Sequence, residues 1–154
     1  MKNRFASARQ RSGFTLVEVL IVVVIMAILA ATIIPQFTDS TKDAKASTTK
    51  FNLHTLRSQI ELYRTQHNGV APSADLHELL QSTNAAGNNG TGANFPYGPY
   101  IREIPKNPFT NSAAIKTIST DPAAGTDVTA GGGGWIYNVS TGGIWIDHAD
   151  YVLQ

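Results

Sequence analysis

The run from Phe14 to Ile34, FTLVEVLIVVVIMAILAATII, constrains this chain more than any other feature, because it holds 21 residues and one charged side chain, Glu18. As a helix rising 1.5 Å per residue it would extend roughly 31 Å, the depth of a bilayer's hydrocarbon core. It is apolar on every side, which excludes a soluble amphipathic helix and leaves a membrane span or a fully buried helix. Lys2, Arg4, Arg9 and Arg11 are the only charges before Gly13, and no charge of either sign falls between Val19 and Gln36. That asymmetry orients the segment with Met1 in the cytoplasm and the body of the chain across the membrane.

A secretory signal carries its small-residue cleavage site after the apolar stretch, whereas Gly13 stands before it. A cut at Gly13 would remove the charged leader and leave the helix on the mature protein. Glu18 is the anomaly in that helix, since a carboxylate near the membrane centre costs roughly 2.5 to 3.5 kcal/mol on insertion scales. No Lys, Arg or His lies between Phe14 and Gln36. A cut after Gly13 would create an α-amino group on Phe14, one helical turn from Glu18, so the counter-charge is an N-terminus, its own or that of a neighbouring copy. Crosswise pairing against a staggered copy would neutralise both charges and set axial register. The alternative is a Glu18 that snorkels to the interface as a tolerated residue near a helix end.

Arg11-Ser12-Gly13-Phe14-Thr15-Leu16-Val17-Glu18-Val19-Leu20-Ile21, followed by the apolar run and Pro35, resembles the N-terminal signature of the type IV pilin and type II secretion pseudopilin superfamily. The likeness is strongest to the major, G-type pseudopilins. It implies that a prepilin peptidase cleaves between Gly13 and Phe14 and methylates the Phe14 amine. It also implies that Glu18 pairs with the Phe14 amine of a neighbour, and that the helix forms a filament core with copies of itself and related pilins on an inner-membrane assembly platform. Pro35 removes an amide donor and crowds the preceding turn. Either the helix kinks there, as the resemblance implies, or Pro35 marks a plain boundary between span and soluble part. The expected organisation is a leader over 1–13, a membrane and filament-core helix over 14–35, and a periplasmic head over 36–154.

From Asp39 the chain turns polar without Gly or Pro until Gly69, so the helix is expected to continue and to stop at Asn68-Gly69. Phe51, Leu56, Ile60 and Tyr63, with Leu53 on the flank, form an apolar stripe, with Asn52, Arg57, Glu61 and Arg64 opposite. Pro72, then Asp75 three residues before Glu78, precede Leu76, Leu79 and Leu80 and predict a short capped helix of about two turns. Residues 84–94 are rich in Gly and Asn and read as an exposed loop. The segment Tyr100 to Thr110, with Pro105 and Pro108 before Phe109, resembles the lead into the sheet of the major pseudopilins. Ile115 to Ile118 reads as a strand, and two β-prone runs, Trp135–Val139 and Ile144–Asp147, enclose a glycine turn as a hairpin. The expected fold is α+β: a long N-terminal helix packed on a small antiparallel C-terminal sheet.

Little in the body points to catalysis. The basic cluster is confined to the leader, and the rest carries eight basic and eleven acidic side chains, so no nucleic-acid surface is expected. The absence of cysteine removes disulfides and thiol nucleophiles. Gly131 to Gly134 lack a following Gly-Lys-Ser/Thr and read as a flexible loop, while His54, His67 and His77 read as solvated. Asp147, His148 and Asp150, or Asp121 and Asp127, are the candidates for a hard cation. The resemblance implies calcium in such a loop, but the family's ligand motif is not matched and no ligands are assigned. An enzyme merely borrowing an apolar anchor would leave Glu18 unexplained. The expected function is therefore a filament subunit of type II secretion acting in protein export. The alternative is a type IV pilus subunit in adhesion, motility or DNA uptake; the lack of a cysteine-closed C-terminal loop tilts against it.

Overall fold

The computed structural model describes residues 13–122, 127–130 and 132–152, and the basic side chains of the leader lie outside them. The chain divides into two compact units, Met1–Thr41 and Lys42–Gln154. One helix, α1, Leu16–Gln66, supplies the described helix of both. In the first unit its apolar stretch is long enough to cross a membrane and none of it is buried within the chain.

In the second unit α1 buries Thr49, Leu53, Leu56, Ile60 and Tyr63, alternating steps of four and three that hold one helical face inward. Phe51, expected in that stripe, is 70% exposed. Two positions before Leu53, it points about 200° around the helix, so both cannot face the same sheet. The helix ends as anticipated. Asn68 and Gly69 both adopt positive φ, and the Gly69 amide donates to the Arg64 carbonyl at 2.8 Å, closing the last turn.

Three strands follow: β1, Ile115–Ile118; β2, Trp135–Asn138; and β3, Gly143–Ile146, in spatial order β1-β2-β3. The hairpin β2–β3 is antiparallel, with Trp135 opposite Ile146 and Tyr137 opposite Ile144. The α+β class holds, but β1 runs parallel to β2, with Ile115 opposite Trp135, so the sheet is mixed rather than antiparallel. Local residue preference marks a strand and says nothing of its direction. The long connection over 119–134 lets the chain return to the end of the sheet from which β1 started.

Trp135, Tyr137, Ile144 and Ile146 pack with the inward face of α1 and with Leu76 and Leu79. Two polar tips in this core are satisfied: the Trp135 indole donates to the Pro105 carbonyl at 2.7 Å and the Tyr137 hydroxyl to the Pro72 carbonyl at 2.9 Å. The expected two-turn helix is a single 3₁₀ turn, His77–Leu80, because Leu76 before it sits at φ 56° and breaks the helical path. Asp75 Oδ1 accepts from the His77 amide at its start at 3.3 Å, and the Ser73 amide and hydroxyl both donate to the Glu78 carboxylate at 3.1 and 2.7 Å. His67 is buried, not solvated: its Nδ1 meets the Tyr63 carbonyl at 2.7 Å, its Nε2 the Thr83 hydroxyl at 3.0 Å, and its ring stacks on Tyr63. A carbonyl only accepts, so Nδ1 carries the proton toward Tyr63.

Burial pushes the phenols of Tyr63, Tyr100 and Tyr137 above their ordinary range, and the nearby Glu78 carboxylate adds to this at Tyr63 and Tyr137. The unfolded chain releases these protons near pH ~10, before the folded head does, so the head keeps its full stability below about pH 10 and loses it as pH rises further. The melting temperature of the full chain in detergent, followed by near-ultraviolet circular dichroism, should be level from about pH 7 to 9 and fall beyond about 10. Tyr137→Phe should flatten that fall; an equal fall in the variant would contradict the assignment.

Candidate assembly site

The helix begins with a reciprocal pair. The Glu18 amide donates to the Thr15 hydroxyl oxygen at 3.2 Å, while the Thr15 amide and hydroxyl each donate to Glu18 Oε2 at 2.8 Å. This is a capping box, which satisfies amides that the first helical turn leaves without partners. Thr15-Leu16-Val17-Glu18 carries the Thr-x-x-Glu signature in plain sight, and sequence reasoning, occupied with the charge of Glu18, passed over Thr15. Both bonds use Oε2, so Oε1 remains available to a cation. Phe14 is 88% exposed immediately before the cap. A Cβ built on Gly13 meets nothing within 4 Å, so packing does not require glycine there.

Along the next turns the side chains that a soluble helix would bury stand outward: Leu20 is 56% exposed, Ile25 52% and Phe37 70%. The Pro35 position lies inside α1 rather than at its end, and lacking an amide it leaves the Ala31 carbonyl without its helical donor. Close by, the hydroxyls of Thr32 and Thr38 donate to the carbonyls of Leu29 and Ile34 at 2.9 and 3.2 Å.

Two of the head's candidate cation ligands, Asp147 and Asp121, have carboxylates engaged by protein donors. Asp147 is buried, and its two carboxylate oxygens accept from the Thr129 amide at 2.7 Å and hydroxyl at 2.5 Å. Asp121 Oδ1 accepts from the Asn138 side-chain amide at 2.8 Å and from the Thr141 hydroxyl at 3.2 Å. Asp127 meets the Lys116 ammonium through its main-chain carbonyl. His148 lies 4.0 Å from Asp150 and against the rings of Phe109 and Tyr151. Among the described residues no three acidic or histidine side chains gather as a metal-binding cluster. The intervening residues 123–126 lie outside those described.

The glycine run read as a flexible loop packs closely where it is described; Gly131 lies outside. A Cβ on Gly134 would come within 2.6 Å of the Ala114 carbonyl, and one on Gly133 within 2.0 Å of the Asp147 carboxylate. These glycines let two segments and a buried acid approach where any side chain would collide. Arg57, placed on the wet side of α1, reaches over to donate to the Ile144 carbonyl at 3.3 and 3.2 Å, covering an outward carbonyl of the edge strand β3.

Comparison with known proteins agrees with this architecture. The pattern described as the prokaryotic N-terminal methylation motif matches residues 8–34, and the family described as type II secretion system (T2SS), protein G, matches residues 36–134. Type II secretion system core protein G of Pseudomonas aeruginosa is 32% identical over 67% of this chain and 71% of its own. The protein of the same name from Vibrio cholerae is 31% identical over 67% and 68%, and that from Aeromonas hydrophila 28% over 77% and 90%. No solved structure matches the chain. The matches favour type II secretion over the type IV pilus, and this family consists of structural subunits rather than enzymes. The chain therefore belongs to the type II secretion system protein G family, as a membrane-anchored pseudopilin that self-assembles into a filament.

Proposed function

We propose that the chain is made as a precursor with Met1 in the cytoplasm, is cleaved by a prepilin peptidase between Gly13 and Phe14, and is methylated on the Phe14 amine. The mature chain then leaves the inner membrane, on an assembly platform, to enter a periplasmic filament acting in protein export. In that filament the Glu18 carboxylate of one copy faces the Phe14 amine of its neighbour, and Pro35 lets the helix bend as it packs. One observation carries this reading: a carboxylate stands in a segment whose apolar side chains are all exposed, its Oε2 engaged by Thr15 and its charge without a cation anywhere between Phe14 and Gln36. Cleavage would supply that cation one turn away, and assembly would cover the apolar surface.

Mass spectrometry of the membrane-bound full chain, produced with its secretion apparatus, tests the processing step. A mature protein beginning at Phe14 and carrying one methyl group is expected. A protein beginning at Met1 in assembled filaments would overturn it.

A further inference from the structure

We propose that the cavity between the C-terminal end of α1 and the turn at 84–88 is a binding site for a small alkylammonium group, the chemistry of a lysine side chain or a free primary amine. Tyr63, His67 and Asn68 from the helix end line it together with Val70, Ala85 and Ala86, and its volume is about 230 Å³. Drug-sized sites occupy roughly 300 to 1,000 Å³, so the ligand here is a short chain with one head group.

The Tyr63 hydroxyl points to an occupant. Tyr63 is only 3% exposed, yet among the described residues its hydroxyl has no hydrogen-bond partner, and it opens to the cavity instead of being sealed in. Buried phenols normally bond to a protein group. The others in this core do: Tyr137 donates to the Pro72 carbonyl at 2.9 Å and Tyr100 to Gln66 Oε1 at 2.6 Å. The Tyr63 ring is held in place by His67, stacked on it at 3.8 Å, and by Tyr100, edge-on at 5.5 Å. Both His67 nitrogens are engaged, so the phenol is the polar tip left over. The facing turn is equally fixed. Asn84 Oδ1 accepts from the Ala86 and Asn88 amides at 3.0 Å each, and the Asn84 carbonyl from the Gly87 amide at 2.9 Å. Gly87, at φ 80°, keeps the space open: a Cβ there would lie 2.9 Å from the Tyr63 hydroxyl oxygen.

Charge selects the head group. The site lies at the end of α1 where the helix dipole is negative. The Glu78 carboxylate adds to the upward push on the Tyr63 phenol and no cation offsets it there, whereas Arg64 does so at Tyr137. Among the described residues no Lys or Arg lines the cavity. A neutral phenol oxygen in a negative field accepts from an ammonium group, whose other donors reach water and the Asn68 carboxamide, itself without a protein partner among the described residues. Val70, Ala85 and Ala86 provide apolar walls for the alkyl stem.

The test titrates isotope-labelled full chain in detergent with n-butylammonium chloride, 1-butanol and sodium butyrate, followed by nuclear magnetic resonance. Butylammonium should shift the Asn68, Ala86 and Gly87 amides saturably, and the alcohol and carboxylate should not. Tyr63→Phe keeps the ring and should melt no lower than wild type while binding butylammonium about ten-fold more weakly, the loss of one hydrogen bond to a charged group. Nα-acetyl-lysine amide separates the sources: binding as tight as butylammonium assigns the site to a lysine side chain, and no binding assigns it to a free amine. No saturable shift, equal shifts from butanol, or unchanged affinity in Tyr63→Phe would overturn the site. A markedly lower melting temperature for Tyr63→Phe would overturn it too, by showing that the hydroxyl has a partner inside the head. None of these outcomes bears on the filament reading, because the detergent-held chain is not assembled.

Discussion

Glu18→Ala should enter the membrane at least as well as wild type and form filaments on the order of a hundred-fold less, because removing one partner of a buried pair costs about 3 to 5 kcal/mol. Two effects work in opposite directions here. Loss of the carboxylate makes the helix cheaper to insert, by roughly 2.5 to 3.5 kcal/mol at the membrane centre, so an anchoring defect is not expected. In the filament, however, the Phe14 amine of each neighbour would be left without its counter-charge in apolar surroundings. Glu18 also caps its own helix, and this cap is separable from the proposed pairing. Glu18→Gln keeps an oxygen for the Thr15 amide, held at 2.8 Å in the wild type, but carries no charge. It should fail in assembly like alanine. Thr15→Ala removes the hydroxyl side of the cap, a change of about 0.5 to 2 kcal/mol, and should reduce filaments far less. Filament yield by electron microscopy, normalised to membrane-inserted protein, checks all three; a fully active Glu18→Gln would show that Glu18 acts as a cap alone.

Gly13→Val should leave the chain uncleaved, seen as a membrane protein heavier by its first thirteen residues, with no filaments at all. A Cβ at this position meets nothing within 4 Å, so the substitution does not disturb the fold, and any block belongs to processing. The absence of filaments follows from chemistry rather than bulk. In the precursor the Phe14 nitrogen is an amide and cannot carry a positive charge, so the Glu18 carboxylate of a neighbour would find no cation. Intact mass and filament microscopy on the same cells check both halves. Uncleaved chains that nonetheless assemble would break the link between processing and charge pairing.

How much could be read from the residues differs along the chain. The apolar run, the continuation of the helix to Asn68-Gly69 and the β2–β3 hairpin are each written locally, in composition, in a residue tolerant of positive φ, or in a glycine turn between β-prone runs. Phe51 misled because apolar character was weighed before angular position. The parallel pairing of β1 with β2 could not be read, since it depends on the path of a long connection. His67 was legible as a histidine but not as a buried one, because its burial depends on Thr83 and Tyr97 arriving from a later loop. At the proposed assembly site Gly13, Phe14 and Glu18 are singled out by charge, spacing and the motif, and the structure adds the bonds of Thr15 to Glu18. Thr15 was overlooked although its signature is as local as theirs.

The pairing of Glu18 with a neighbour's amine is best tested by zero-length carbodiimide coupling in filaments assembled from equal amounts of ¹⁴N- and ¹⁵N-labelled chains. Coupling should join Glu18 of one label to the Phe14 nitrogen of the other about as often as to its own label. Coupling confined to a single label, or a Glu18 joined consistently to some other amine, would contradict the account.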